Sequence, residues 1–197
     1  YDGITTEESH LTTPETFELH QFYQNAVRSG IEFLSMEVSS QALKYDRTMG
    51  ITFDVGCYLN IGIDHISDIE HSDFQDYLDA KMVLFRQCKT ACINLDDEYS
   101  KMAIEHATGN AERIITFGQS EEADICGYDI KPGKKGITFK AKSDSFDEVF
   151  KIGMTGWFNV DNALAAIAIG YSPNIPLQYI KSGLEKARVS GRQEIST

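Results

Sequence analysis

Short apolar runs alternate with helix-patterned segments along the first part of the chain, and that alternation constrains the fold most strongly. Residues 31–38, 53–59, 91–95 and 114–117 read as buried strands. Residues 74–88 and 99–107 carry apolar side chains at helical spacing. An earlier helix is expected from Thr13-Pro14-Glu15. Thr13 can cap it, Pro14 suits its first position, and Glu15 suits the positive end of the dipole. It should end near Ser29-Gly30. Strands alternating with helices imply an α/β fold, a mostly parallel sheet flanked by helices. Ligands in such sheets sit beyond the carboxyl ends of the strands. Those ends are polar here: Glu37-Val38-Ser39-Ser40, Asn60-Ile61-Gly62-Ile63-Asp64-His65 and Asn94-Leu95-Asp96-Asp97.

The pattern changes over residues 123–154, where 126–130, 137–142 and 148–152 alternate apolar and polar residues. Turn-forming residues separate these runs, so a small antiparallel sheet is expected there. An apolar helix over 159–170 and an amphipathic one over 176–186 close the chain. The reading is one domain over residues 1–190, with 191–197 as the start of a linker.

With 197 residues, 42% of them hydrophobic, the chain can bury one sizeable core. Its net charge of -12 argues against nucleic acid or an anionic membrane as partner. A nucleotide pocket remains open, because backbone amides, local cations and metal ions hold phosphate against an unfavourable mean field. No run approaches the roughly 20 apolar residues of a membrane helix, so no membrane insertion is expected. Cys57, Cys88, Cys92 and Cys126 form no CxxC pair and read as buried, reduced thiols of a reducing compartment.

Three groups carry candidate chemistry: Glu37 at one strand end, Asp64-His65 after the next strand, and Lys81 on the 74–88 helix. A carboxylate and an imidazole at neighbouring strand ends could share a divalent ion, and Mg²⁺ prefers oxygen ligands. Taken singly, each has an ordinary alternative: a solvated glutamate, a histidine without metal, a lysine that snorkels to water.

The motifs gain weight together. In chain order they are Thr12-Thr13-Pro14-Glu15, Met36-Glu37-Val38-Ser39-Ser40 with Arg47, Asn60-Ile61-Gly62-Ile63-Asp64-His65, Ala80-Lys81, Asn94-Leu95-Asp96-Asp97, Gly156-Trp157-Phe158-Asn159-Val160-Asp161-Asn162-Ala163-Leu164, and Gly191-Arg192-Gln193-Glu194. This order resembles the middle domain of Mur ligases, from Thr12 to Glu194. The Thr-Thr-Pro-Glu and Glu-Val-Ser-Ser elements are similar to the MurE class.

The resemblance implies a bacterial, cytoplasmic, ATP-dependent ligase of peptidoglycan precursor synthesis. It would join an amino acid to UDP-MurNAc-L-Ala-D-Glu through an acyl phosphate. Glu37 and His65 would hold Mg²⁺, and Lys81 would act as its CO₂ adduct, a carbamate that supplies oxygen ligands. Thr12, Thr13, Ser39 and Arg47 would contact the muramoyl peptide. Asn94, Asp96, Asp97, Asn159, Asn162 and Arg192 would lie at the nucleotide, with Asn159 and Asn162 at the adenine. Their ordinary alternatives are capping for Thr13 and Asn159, a turn for Ser39 and a solvated surface for Arg47.

Some positions depart from the family pattern. Gln41 stands where histidine is frequent, Ile63 where a polar residue is frequent, and Gln193 where an apolar one is usual. His71 falls in a loop of variable length and is not the expected ligand. No GxxxxGK[ST] phosphate loop occurs in the 197 residues. The expectation is therefore a central-domain fragment that is inactive alone, a monomer whose open sheet edge could allow association. Two alternatives stand beside it. One is another ligase on the same fold, of the folylpolyglutamate or cyanophycin synthetase type. The other is a non-catalytic binding domain.

Overall fold

The computed structural model describes residues 1–6, 10–62 and 71–188. The chain divides into two units: Tyr1–Thr52 with Gly62–Gln87, and Phe53–Ile61 with the chain from Cys88 onward.

The second unit is built on one six-stranded sheet: β1 (Phe53–Tyr58), β2 (Cys88–Asn94), β3 (Arg113–Gly118), β4 (Ile125–Gly133), β5 (Gly136–Lys142) and β6 (Asp147–Ile152). Spatial order follows chain order, so β1 and β6 are its edges. β1 to β4 run parallel, and β4, β5 and β6 are antiparallel neighbours. In β2, Ala91, Cys92 and Ile93 have no exposed surface. An unbroken apolar run is what a parallel strand covered on both faces requires.

The antiparallel strands expected over 123–154 are present, yet they form no separate sheet. β4 joins β3 through the parallel pairs Phe117↔Ile125 and Gly118↔Cys126, then continues as the antiparallel partner of β5. Alternating polarity specifies a half-buried strand but not the edge it adds to.

Helices α4 (Ser100–Ala107), α5 (Phe158–Tyr171) and α6 (Leu177–Lys186) belong to the same unit. Val160, Leu164, Ile167 and Ala168 of α5 are fully buried in one cluster with Ile115, Phe117, Ile125 and Phe139 of the sheet. The helix approaches β4 closely: a Cβ on Gly127 would lie 2.7 Å from the Leu164 side chain.

The described residues of the first unit contain helices and no strand: α1 (Thr16–Ser29), α2 (Ser40–Lys44), α3 (Phe74–Met82) and a 3₁₀ turn at Val83–Arg86. Residues 31–38 correct the sequence reading. They form no strand or helix, and Phe33 and Leu34 are exposed. An apolar run becomes a strand only beside another strand, and the described residues of their own unit offer none. The expected 74–88 helix also stops early, at Met82, because Cys88 is claimed by the sheet as the partner of Phe53. The 3₁₀ turn makes that transition. The start of α1 differs as well. Its cap position is Glu15, with no side-chain cap bond, and Thr13 is occupied elsewhere. Its end is as expected, at Gly30 with φ 72°. No helix among the described residues is long and apolar enough to cross a membrane.

Candidate functional site

In the first unit, Thr13 joins two of the motifs. It has no exposed surface. Its hydroxyl donates to the Glu37 carbonyl at 3.0 Å and accepts from the Ser39 amide at 2.9 Å. Thr-Thr-Pro-Glu is thereby tied to Glu-Val-Ser-Ser. Arg47 lies against the same joint. Its Nη1 donates to the Thr13 carbonyl at 3.3 Å, and its Nη2 pairs with Glu15 at 3.0 Å. Ser39 caps α2, its hydroxyl accepting from the Ala42 amide at 3.2 Å. Three of the four residues predicted to contact a muramoyl peptide are thus linked directly. The Thr13 hydroxyl is spent on the joint, whereas Thr12, Ser39 and Arg47 reach solvent.

Thr13→Val, close to isosteric but without the hydroxyl, leaves the Glu37 carbonyl and the Ser39 amide without that partner. A stability loss of about 1–3 kcal/mol is expected. Urea denaturation of the chain measures it, and an unchanged midpoint would show that the joint contributes nothing.

Glu37 is exposed, so its carboxylate oxygens are available to a ligand. Lys81 lies on α3, with Nζ 5.1 Å from the centroid of the Tyr77 ring. Asp64, His65 and Arg192 lie outside the described residues. No cluster of three metal-binding side chains occurs among the described residues. The donors present suit Mg²⁺ in kind, because Glu37 offers oxygens and a carbamate on Lys81 would add more.

In the second unit, the predicted nucleotide residues follow the carboxyl end of β2 and the start of α5. The Asp96 carboxylate accepts the backbone amides of Gln119, at 2.5 Å, and Ser120, at 3.0 Å. A Cβ at Gly118 would lie 2.6 Å from Asp96 Oδ2, so this close approach needs glycine. Asn94 Oδ1 accepts from the Asp96 amide at 3.1 Å. Asp97 Oδ1 accepts from the Tyr58 hydroxyl at 2.7 Å and the Tyr99 amide at 3.0 Å. On α5, Asn159 donates to the Thr155 carbonyl at 2.6 Å, and Asn162 donates to Asn159 Oδ1 at 3.4 Å. That pair lies on one helical face, as the spacing of three predicts.

Sequence reasoning missed Gln119 and Asp161. Gln119 Nε2 donates to Asp161 Oδ1 at 3.0 Å while its backbone amide holds Asp96. Gln119 therefore bridges the end of β3 to α5. Burial raises the Asp161 pKa, the Gln119 bond opposes that rise, and the nearby Asp96 charge adds to it. The available signal was position alone, since Gln119 immediately follows a strand end.

The thiols of Cys88 and Cys92 are buried, and burial pushes them up to about 11 and about 12. They are packing groups rather than nucleophiles. A cleft of about 480 Å³, lined by Arg113, Asp124, Lys142 and Tyr171 among others, opens at the amino end of β3. That is the opposite end of the strand from Gln119. Its carboxylates are already engaged, Asp124 by Thr116 and Asp144 by the Tyr171 hydroxyl.

A mostly parallel sheet with carboxylates and amides beyond its carboxyl ends defines an α/β domain of the class that takes ligands there. The chain belongs to the Mur ligase middle-domain family, which it matches over residues 2–170. It is 38% identical to UDP-N-acetylmuramoyl-L-alanyl-D-glutamate--2,6-diaminopimelate ligase 1 of Clostridium acetobutylicum, over 100% of this chain and 40% of that protein. It is 37% identical to UDP-N-acetylmuramoyl-L-alanyl-D-glutamate--L-lysine ligase of Streptococcus thermophilus, over 100% of this chain and 39% of that one. Among solved structures, a UDP-N-acetylmuramoyl-L-alanyl-D-glutamate--2,6-diaminopimelate ligase superposes with a TM-score of 0.83 at 28% identity, covering 90% of this chain and 37% of the other. The chain thus spans about 40% of the length of the curated relatives it matches.

Proposed function

We propose that this chain is the central domain of a cytoplasmic, ATP-dependent ligase that adds the third amino acid to UDP-MurNAc-L-Ala-D-Glu. The observation that carries the reading is the Thr13 joint, which brings together the two motifs that distinguish the MurE class. The names of the relatives support the same acceptor. They share the muramoyl dipeptide and differ in the amino acid, diaminopimelate in one and lysine in the other.

The chemistry requires several negative charges to converge, because a carboxylate meets a triphosphate. ATP phosphorylates the free carboxylate of the dipeptide. The incoming amine then attacks the acyl phosphate, an amide forms, and ADP and phosphate leave. Mg²⁺, when bound, would neutralise phosphate charge, with Glu37, His65 and carbamylated Lys81 as the residues to hold it. Arg47, fixed by Glu15 and the Thr13 carbonyl, offers a guanidinium suited to a carboxylate or phosphate of the acceptor. Thr12 and Ser39 offer hydroxyls to its amides. Asn159 and Asn162 offer amide groups to the adenine.

The test is phosphate release by the complete ligase that carries this domain, with UDP-MurNAc-L-Ala-D-Glu, ATP and either diaminopimelate or lysine. ATP-dependent tripeptide formation is expected with one of the two. Turnover of a folate substrate in place of the muramoyl dipeptide would overturn the reading.

A further inference from the structure

His71 is a buried histidine to which the proposed chemistry assigns no task. Its side chain has no exposed surface. Nε2 lies 2.9 Å from the Ser40 hydroxyl. Nδ1 is buried with no hydrogen-bond partner and faces Asp76 Oδ2 at 3.4 Å. The same carboxylate oxygen accepts from Lys44 Nζ at 2.6 Å and from the Ser72 amide at 3.0 Å. These bonds hold Asp76 ionised and lower its pKa to about 2, the Lys44 bond contributing most. An ionised carboxylate 3.4 Å from Nδ1 favours, by its charge, the tautomer that carries its proton there. Nε2 is then the acceptor, and Ser40 donates to it. The serine proton points at the histidine, and the serine lone pairs point away.

Ser40 is the first residue of α2, a helix of only 5 residues. So short a helix does not hold itself together. Its start is fixed by the Thr13 contact at the Ser39 amide and by His71 at Ser40. Its end is fixed by Lys44 on Asp76 of α3. α2 is thereby attached at both ends, and the segment before it carries Glu37 and Ser39. We propose that His71 is a positioning residue for acceptor binding, holding Ser40 so that α2 presents Ser39 at its start, and Arg47, whose amide donates to the Ala42 carbonyl at 2.9 Å, just past its end, to the muramoyl dipeptide. This rests on the function proposed above, in which those two residues contact that substrate.

The experiment is steady-state kinetics of the complete ligase with UDP-MurNAc-L-Ala-D-Glu and ATP varied separately. Loss of one hydrogen bond corresponds to about a tenfold change. His71→Phe and Ser40→Ala are each expected to raise KM for the dipeptide by about that factor, leaving KM for ATP unchanged. The double variant should be no worse than the poorer single one, because both remove the same contact. His71→Gln, whose amide can reach Ser40 in place of Nε2, should restore most of the affinity. Additive losses in the double variant would overturn the proposal. So would a His71→Phe enzyme that loses ATP and dipeptide affinity alike. If His71→Phe does not fold, Ser40→Ala and His71→Gln decide by the same comparison. Arg47→Ala separates the two levels of the argument. If it leaves the dipeptide KM unchanged, the functional reading fails and the His71 proposal with it. If it raises that KM while Ser40→Ala does not, only the His71 proposal fails.

Discussion

Lys81→Ala in the complete ligase is expected to lower kcat by about 10²–10³-fold, the scale of losing one preorganised electrostatic group at a reacting centre. A lysine side chain in water is an ammonium at neutral pH. Beside a divalent cation it is repelled, so a bare amine has no task at a magnesium site. Reaction of the neutral amine with CO₂ forms a carbamate and releases a proton, reversing the sign and adding oxygens of the kind Mg²⁺ takes. With the free amine, Nζ lies 5.1 Å from the Tyr77 ring centroid, a cation–π contact of about 0.5–1 kcal/mol at most exposed sites. Carbamylation would give up that contact in exchange for oxygens that could coordinate Mg²⁺. Activity should therefore fall when dissolved CO₂ is removed and recover with bicarbonate, while Lys81→Ala should be insensitive to both. A variant that retains most of its kcat, or a metal-loaded enzyme with an unmodified Lys81, would remove the carbamate from the mechanism.

The sheet was legible because periodicity reports burial directly. β2 has the apolar run Ala91-Cys92-Ile93 at its centre, and the strand is buried except at Lys89. β5 and β6 alternate, and they bury alternate residues such as Phe139, Ala141 and Phe150. The same signal failed at residues 31–38. Apolar character marks a segment that avoids water, whereas a strand also needs a neighbour with free amides and carbonyls. The candidate site was legible in its residue types but not in their connections. Thr13 looked like a helix cap because Pro14-Glu15 follows it, yet its hydroxyl bonds 24 residues away. Nothing local in a sequence specifies such a partner. His71 reads in the sequence as a loop residue, since only three dimensions place it between Ser40 and Asp76. Gln119 escaped for the same reason, its partners Asp96 and Asp161 being remote in the chain.

Phe139→Ala is expected to destabilise the sheet unit by about 3–5 kcal/mol, the usual result of emptying a packed aromatic site. Phe139 is fully buried at the middle of β5. Its ring stacks on Phe150 of β6, with centroids 5.8 Å apart and planes at 20°. Phe146 meets Phe150 edge-on at 6.2 Å. The same cluster contains Val160, Leu164 and Ile167 of α5, whose first five residues include Asn159 and Asn162. Loss of the ring removes both transfer free energy and dispersion contacts, and neighbours held on two strands and a helix can close the gap only in part. Val149 supplies the internal control. It precedes Phe150 on β6 but points the other way and is 44% exposed, so Val149→Ala should cost within about 0.5 kcal/mol. Urea denaturation followed by circular dichroism compares the two variants. The single tryptophan, Trp157, immediately precedes α5, so its fluorescence reports whether that helix loosens in the folded Phe139→Ala protein. If both variants cost the same, the antiparallel strands do not share the core that supports α5. The placement of Asn159 and Asn162 would then need another explanation than packing against β5.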